Sequence, residues 1–315
     1  MDAIRTEGLT KHYSVGFWRP RPYVALEGLD LEVAPGEIFG FLGPNGAGKT
    51  TTLKLLMQLI FPTSGRAEIL GRPVGDVSVR RRIGYLPENP FFYDNLTAEE
   101  LLAYFARLFG FHGQERATRV SRILDEVGLG AERRFQLRKY SKGMLQRVGL
   151  AQALLNDPEV VFLDEPMSGL DPLGRRDVRD LILRLRDRGT TVFFSSHILS
   201  DAETLCSRVA IVAHGKLVTA GSVAELVPFR VRGWDLIVSN LTIAQVHDVG
   251  GPDAVVREIA DGRHHVILPE AASLDSALSR VTTHRGQLLS VNPVRDTLED
   301  YFLARVRQAE RREVG

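Results

Sequence analysis

The sequence predicts an α/β protein with two domains, and three observations carry that prediction. A glycine-rich segment lies between an apolar strand and an amphipathic helix, and two further apolar runs, VVFLDEP and TTVFFSSH, flank a helical pattern. Such alternation is typical of a parallel sheet covered by helices. The pattern changes near Phe229, so we place one domain at residues 1–228 and a small α+β domain at residues 229–315.

The composition narrows the class of protein. Forty basic side chains face 39 acidic ones, so binding to nucleic acid or anionic lipid would need a local patch. The single cysteine, Cys206, excludes a disulfide framework and a multi-thiolate zinc site, which fits a reducing compartment. No apolar run approaches the ~20 residues that cross a bilayer, and the N-terminus lacks the apolar core of a signal peptide. We therefore expect a cytosolic chain.

The segment before about residue 85 predicts an antiparallel β subdomain. The runs IRTEGL, VALEGLDLEV and RAEILG have strand character and are separated by turn residues. They precede or surround EIFGFL, the apolar strand that leads into the glycine-rich segment. We expect the antiparallel sheet to lie beside that strand.

The glycine-rich segment GPNGAGKT matches the phosphate-binding loop (P-loop) pattern G-x-x-x-x-G-K-[ST]. It follows a strand and precedes the helical pattern TTLKLLMQLI, the context in which backbone N–H groups and a helix N-terminus bind phosphate. Lys49 would reach the terminal phosphates, and the Thr50 hydroxyl would bind Mg²⁺. The predicted nucleotide-binding residues of this segment are Gly43, Pro44, Asn45, Gly46, Ala47, Gly48, Lys49, Thr50 and Thr51.

Residues 95–157 predict a helical subdomain. NLTAEELLAYFARLFGF and ERATRVSRILDEVGL carry apolar residues three and four positions apart, with Asn95 or Thr97 as the start of a helix. The strand VVFLDEP, a helix over about Pro172–Arg188 and the strand TTVFFSSH then restore the parallel-sheet pattern.

Polar side chains end these two strands. Asp164 and Glu165 close the first, and His197 closes the second. Ligands bind at the carboxyl edge of a parallel sheet, so we expect Asp164 to hold Mg²⁺ and Glu165 to polarise a water that attacks the γ-phosphate. His197 would donate a hydrogen bond to a γ-phosphate oxygen or hold the attacking water.

With these motifs in this order, residues 3–228 resemble the nucleotide-binding subunit of an ATP-binding cassette (ABC) transporter, a P-loop NTPase. The segment YSKGMLQR resembles the signature that is specific to this family. The resemblance implies that Ser141 and Gly143 contact the γ-phosphate of ATP held by the partner subunit. Lys142 stands where a glycine is common and Met144 where a glutamine is common, variants that resemble export-type subunits.

The resemblance assigns three more positions. Glu88, in GYLPEN, falls in the loop that senses Mg²⁺ and contacts the transmembrane partner, where glutamine is more common. Asp171, in SGLD, falls in the loop that touches the other subunit's active site. Tyr13 matches the aromatic residue that stacks on adenine.

The segment SVGFWRPRPY after Tyr13 is longer than the usual link to the next strand. It offers three other aromatic platforms for adenine, Phe17, Trp18 and Tyr23. This 14–23 insert is either a solvated loop or a contact to a partner protein or lipid headgroups.

The resemblance also implies partners. Ser141 and Gly143 are too far from Lys49 in one chain to share a nucleotide, so we expect two copies to sandwich ATP and Mg²⁺ head to tail. An integral membrane permease would dock on residues 95–140 and the loop at Glu88, and no nucleic acid is expected. Phe91, Phe92 and Tyr93 are candidate contacts or core residues. We expect the subunit to be peripheral, at the cytoplasmic face of the cell membrane, and to power export.

Residues 234–301 predict a ferredoxin-like unit in the order strand, helix, strand, strand, helix, strand, with a final amphipathic helix from Thr297. It would reinforce the dimer, regulate the ATPase or serve as a structural appendage. His264 and His265 are adjacent on a strand and point to opposite faces, which argues against a shared metal.

Two other functions use the same motifs. A soluble cassette ATPase acting on ribosomes or nucleic acid is the first alternative. Translation-factor types resemble two cassettes in one chain, whereas this sequence has one P-loop; DNA-repair types insert coiled coils or zinc modules, which the segment between Lys49 and Ser141 lacks. A regulatory ATP-binding module without hydrolysis is the second alternative, and the presence of Glu165 and His197 disfavours it.

Overall fold

The structure is a computed structural model that describes residues 2–16, 21–228, 230–270 and 272–313. Phe17 and Trp18 of the 14–23 insert and the predicted boundary residue Phe229 lie outside the described residues. One compact unit contains the described residues up to Val223 together with those from Arg305 onward, and a second spans Ala224–Ala304.

The strands are β1 (Ile4–Val15), β2 (Arg21–Val33), β3 (Ile38–Leu42), β4 (Ser64–Ile69), β5 (Arg72–Pro73), β6 (Ile83–Leu86), β7 (Val160–Asp164), β8 (Thr191–Ser196), β9 (Arg208–Ala213), β10 (Lys216–Ser222), β11 (Val231–Ser239), β12 (Val255–Ala260), β13 (Arg263–Pro269) and β14 (Gln287–Arg295). The helices are α1 (Lys49–Leu56), α2 (Val77–Arg80), α3 (Ala98–Leu108), α4 (Gly113–Glu126), α5 (Lys142–Leu154), α6 (Pro172–Asp187), α7 (Leu199–Leu205), α8 (Val223–Leu226), α9 (Ile243–Gly250), α10 (Leu274–Thr283) and α11 (Leu298–Glu313). A short 3-10 helix covers Leu137–Lys139.

The antiparallel sheet has the order β2-β1-β4-β5, which confirms the predicted β subdomain. β1 pairs with β2 in a register that sets Tyr13 opposite Tyr23. Residues directly opposite in an antiparallel pair point to the same face, so both side chains leave the sheet on one face.

The second sheet has the order β10-β9-β3-β8-β7-β6. β9, β3, β8, β7 and β6 are parallel, and β10 is antiparallel to β9. β3, β7 and β8 are buried along their whole length, because helices and the antiparallel sheet leave neither face open. The rings of Phe39 and Phe193 stack with their centroids 5.7 Å apart. The carboxyl ends of these three adjacent strands therefore meet at one edge.

The helical subdomain contains α3, α4 and α5, as predicted. Thr97 caps α3: its hydroxyl accepts a hydrogen bond from the Glu100 N–H at 3.2 Å, and the Glu100 carboxylate accepts one from the Thr97 N–H at 2.8 Å. This reciprocal capping satisfies two N–H groups that the first turn would leave unpaired. Thr97, rather than Asn95, is therefore the start of the helix.

The second unit is a four-stranded antiparallel sheet of order β12-β13-β11-β14 with α9 and α10 on one face. Its elements follow one another in the order expected from the sequence. Leu236, Val238 and Val266 are buried in its core. His264 is buried, whereas His265 pairs through Nε2 with Asp235 Oδ1 at 2.7 Å, so the two imidazoles do not share a site. Across the described ranges of the chain, no helix is both long and apolar enough to cross a membrane.

Candidate functional site

The glycine-rich loop connects β3 to α1 at the carboxyl edge of the parallel sheet. Gly46 and Gly48 have φ values of 81° and 103°, which side chains other than glycine rarely adopt. A Cβ atom at Gly43 would overlap the carbonyl oxygen of Val212, and one at Gly48 would overlap that of Ala25. The loop packs this closely against neighbouring main chain, so glycine is required at both positions.

The ammonium group of Lys49 lies inside this loop. Its Nζ donates hydrogen bonds to the carbonyl oxygens of Gly43 at 2.8 Å and Pro44 at 3.2 Å. It also forms an ion pair with Glu165 Oε1 at 3.2 Å. Both side chains are more than nine-tenths buried, so the pair is weakly screened by solvent. The predicted phosphate ligand and the predicted general base are therefore in direct contact.

Glu165 has a strained backbone. Its φ is 50°, a left-handed conformation that costs a residue with a side chain about 1–2 kcal/mol. The Glu165 N–H donates to Ser195 Oγ at 3.1 Å, and the Ser195 hydroxyl donates to Asp164 Oδ1 at 2.6 Å. Strain of this kind persists only where surrounding contacts fix the backbone. Ser195 is one of those contacts.

His197 lies at the end of β8 and contacts Glu165. Its Nδ1 is 2.8 Å from Glu165 Oε2. With Glu165 ionised, the Nδ1–H of His197 donates this bond, and in the neutral imidazole Nε2 is then an acceptor. The structure thus brings the two predicted catalytic residues together.

The carboxyl group of Asp164 is buried beside Thr50. Burial raises its pKa, the hydroxyls of Ser195 and Thr50 act in the opposite direction, and the Glu165 carboxylate raises it further. Asp164 Oδ2 is buried and has no hydrogen-bond partner among the residues that the structure describes. An unpaired, buried carboxylate oxygen next to a threonine hydroxyl fits a hard divalent cation. No group of three or more His, Cys, Asp or Glu side chains forms a metal cluster in the described part of the chain.

A cavity of about 280 Å³ opens at this edge. Its lining residues are Tyr23, Ala25, Asn45, Gly46, Gly48, Lys49, Thr50, Thr51, Glu88 and Glu165. Predicted residues from the loop, the GYLPEN segment and the end of β7 therefore meet in one cavity. Ala47, which also belongs to the loop, is buried and does not line the cavity.

The two tyrosines of the β1–β2 pair differ in their relation to this cavity. Tyr23 lines it and is half exposed. Tyr13 is absent from the lining, and its ring instead lies under the Lys11 ammonium at 5.1 Å. β2 is the strand that contacts the glycine loop through Ala25, so its aromatic residue is nearer to the loop than that of β1.

The signature residues line a different cavity, of about 430 Å³. Ser141 is the N-cap of α5, where its hydroxyl accepts a hydrogen bond from the Met144 N–H. Asp171 is the N-cap of α6 and accepts a hydrogen bond from the Gly174 N–H at 2.7 Å. Ser141, Gly143 and Asp171 line this second cavity, and none of them lines the first.

Lys142 extends from the start of α5 toward the SGLD loop. Its Nζ and Cε atoms lie where a Cβ on Gly169 would be, and Gly169 has a φ of 69°. The lysine that replaces the more common glycine is therefore accommodated by a glycine in the neighbouring loop.

Residues 26–168 match the protein-family model described as ABC transporter. A protein of Synechocystis sp., named an uncharacterized ABC transporter ATP-binding protein, is 46% identical over 309 residues, which cover 98% of this chain and 85% of that protein. The chain belongs to the ABC transporter ATP-binding family. The fluoroquinolones export ATP-binding protein of Mycobacterium tuberculosis is 37% identical over 89% of this chain and 93% of that one.

Solved structures of ATP-binding cassettes also resemble this chain. The dimeric structure of a post-hydrolysis state of the ATP-binding cassette MJ0796, bound to ADP and Pi, superposes with a TM-score of 0.64 and 26% identity. The superposed region covers 70% of this chain and 98% of the MJ0796 chain.

These comparisons confirm the family, the fold class and the function predicted from the sequence. The chain is an ATP-binding, ATP-hydrolysing subunit of an ABC transporter. ABC ATP-binding subunits work as dimers together with a transmembrane partner. The relatives give no support to the ribosome or nucleic-acid alternative.

Sequence reasoning missed two residues that the structure places beside the site. Ser195 bridges Asp164 and Glu165, and Gln146 donates to the carbonyl of Pro166 at 3.1 Å. A signal was present for both: Ser195 follows the apolar residues Val192, Phe193 and Phe194 in a strand expected to be buried, and Gln146 precedes Gly149, Leu150 and Ala153 on one helix face. A buried polar side chain needs a hydrogen-bond partner, so polar residues at such positions indicate a contact with another segment.

Proposed function

We propose that Glu165 and His197 carry out the hydrolytic step of this ABC ATPase. The observation that carries the proposal is the chain of contacts from Lys49 through Glu165 to His197 at one sheet edge. Glu165 would polarise the water that attacks the γ-phosphate, and His197 would hold that water or a γ-phosphate oxygen. The glycine loop would cradle the phosphates with its backbone N–H groups, with Lys49 on the terminal phosphates.

The oxygen atoms at this edge fit Mg²⁺. Thr50 and Asp164 would hold the ion, and Glu88, which lines the same cavity, would contribute a further oxygen. Mg²⁺ commonly binds through one or two carboxylates together with substrate phosphates and water. The bound ion would supply neutralisation of phosphate charge.

We infer that the active unit is a homodimer with ATP between the two copies. The separation of the signature cavity from the glycine-loop cavity supports this arrangement. Ser141 and Gly143 of one copy would face the γ-phosphate bound by the other, with Asp171 in the loop that meets the opposite site. The C-terminal domain, which the sequence predicts at residues 229–315, would reinforce the dimer.

We further propose a peripheral position at the cytoplasmic face of the cell membrane, against an integral membrane permease. Phe91 is 92% exposed and Tyr93 is 65% exposed in the loop after β6, whereas Phe92 is buried. Exposed aromatic side chains on a surface loop favour contact with a partner. The likeness to a fluoroquinolones export protein supports export as the direction of transport.

Purification of the tagged chain from detergent extracts of its host would test the partner. We expect a multi-spanning membrane protein to co-purify with the wild-type chain and to be lost in a Phe91→Ser, Tyr93→Ser double variant. Val77→Ser removes an exposed apolar side chain from α2 and serves as the matched control. Co-purification with ribosomal subunits or nucleic acid, and with no membrane protein, would contradict the proposal.

A further inference from the structure

Gln146 connects the signature helix to the catalytic loop. It lies on α5, five residues after the N-cap Ser141, and only 4% of its surface is exposed. Its Nε2–H donates a hydrogen bond of 3.1 Å to the carbonyl oxygen of Pro166, the residue that follows Glu165. This buried bond joins two segments that sequence patterns treat separately.

The positions that follow Gln146 on the same helix face are apolar. Gly149, Leu150 and Ala153 lie three, four and seven positions after Gln146 and are all buried. A side-chain amide buried on such a face is costly unless it is hydrogen-bonded. The contact with Pro166 therefore fixes both the amide and the carbonyl that it meets.

The carbonyl of Pro166 belongs to a strained turn. Glu165 has its left-handed φ of 50°, and hydrogen bonds on both sides hold it. The Glu165 N–H donates to Ser195 Oγ, and its carbonyl accepts from the Ser168 N–H at 3.0 Å. The bond from Gln146 secures the next peptide unit. A left-handed conformation kept at a reacting carboxylate needs such fixation, because the residue otherwise relaxes to a commoner conformation.

We propose that Gln146 is a positioning residue that orients Glu165 for hydrolysis and links its orientation to the position of α5. The inference rests on the proposed function of Glu165 as the base. Because the N-terminus of α5 carries Ser141, a shift of α5 when Ser141 engages a phosphate would move the Pro166 carbonyl and the adjoining carboxylate. Gln146 thereby couples the signature of one chain to the base in the same chain.

Steady-state ATPase assays of the purified full chain test this role. Gln146→Met keeps the length of the side chain and removes the donor. We expect kcat to fall about ten-fold with KM for ATP changed less than two-fold, because a displaced Glu165 would stabilise the transition state less while nucleotide binding is kept. Gln152→Met, on the same helix and without a bond to the catalytic loop, is the matched control and should keep the wild-type kcat. If Gln146→Met does not fold, Gln146→Asn shortens the amide and breaks the same bond.

The double variant Gln146→Met, Glu165→Gln separates positioning from general damage. If Gln146 acts through Glu165, the residual turnover of Glu165→Gln should not fall further. A second ten-fold loss in that background, or a Gln146→Met kcat equal to that of Gln152→Met, would overturn the inference. Wild-type turnover of Glu165→Gln alone would instead remove the proposed base, so the two failures are distinguishable.

Discussion

Lys49 Nζ lies 3.2 Å from Glu165 Oε1, so the predicted phosphate ligand and the predicted base form a buried ion pair. A phosphate chain bound in the loop would compete with Glu165 and with the carbonyls of Gly43 and Pro44 for this ammonium. Glu165 would then keep His197 as its neighbour and gain freedom to face a water molecule. We therefore expect nucleotide binding to release Glu165, the predicted base, from Lys49.

Glu165→Gln should bind ATP and lose turnover. The amide keeps the shape but cannot accept a proton, and loss of a positioned general base lowers kcat by about 100-fold or more. We expect ATP to hold the variant as a stable dimer in size-exclusion chromatography. Glu159→Gln, at the other end of the strand, should behave as the wild type. Undiminished hydrolysis by Glu165→Gln would exclude Glu165 as the base.

Lys49→Ala should abolish tight nucleotide binding. Hydrogen bonds to charged groups contribute about 1.5–3 kcal/mol, which predicts a loss of roughly 10- to 100-fold in ATP affinity by calorimetry. Lys54→Ala removes an exposed cation from the same helix and is the control. Equal affinities of the Lys49→Ala variant and the wild type would contradict the phosphate-loop assignment.

His197→Ala should lower kcat with little change in the affinity for ATP. The variant loses the 2.8 Å contact with Glu165 Oε2 and the group that would hold water or a γ-phosphate oxygen. We expect a decrease of about 100-fold, in the range for removal of one preorganised donor. His112→Ala, at an exposed position, is the control in the same assay. A variant that hydrolyses ATP at the control rate would leave His197 with a structural role only.

Tyr23→Ala should weaken ATP binding more than Tyr13→Ala. Tyr23 lines the glycine-loop cavity and Tyr13 does not, and an aromatic stacking contact is worth about 0.5–1.5 kcal/mol, or roughly a five-fold change in Kd. Binding of ATP and of inorganic triphosphate should be compared, because only the former carries a base. A loss confined to Tyr13→Ala would support the residue chosen from the sequence.

Tyr85 should make stability depend on pH in the alkaline range. Burial, and then the Asp164 and Glu88 carboxylates, raise the pKa of Tyr85 to about 12. The folded protein therefore keeps the phenol proton of Tyr85 at pH values above 10.0, where the unfolded chain loses it. The stability that this group contributes below pH 10 is therefore lost as pH rises toward 12. Thermal unfolding midpoints should fall more steeply above pH 10 in the wild type than in Tyr85→Phe. Equal pH dependence of the unfolding midpoints of the wild type and Tyr85→Phe would contradict the raised pKa of Tyr85.

The carboxyl edge of the sheet was predictable because β7 and β8 are apolar runs that end in polar residues. That pattern places Glu165 and His197 at one edge without knowledge of any long-range contact. The adenine platform was not predictable in the same way, since Tyr13 and Tyr23 lie opposite each other and only the strand order shows which one adjoins the glycine loop.

Other features depend on main-chain geometry that side-chain patterns do not encode. The left-handed backbone of Glu165 is visible only in the fold, because glutamate rarely adopts that conformation. Helical periodicity puts Gln146 on an apolar face but does not identify its partner, which is a backbone carbonyl in a distant loop.

The atoms that a Cβ at Gly43 or Gly48 would overlap are the main-chain carbonyl oxygens of Val212 and Ala25, respectively. Substitution can trim a side chain that crowds a neighbour, but it cannot remove a carbonyl oxygen. No second mutation elsewhere can therefore make room for a larger residue at either position while the strands stay in register. Main-chain packing therefore favours these two glycines whether or not the protein hydrolyses ATP, so a descendant without ATPase activity would still lose packing by replacing them.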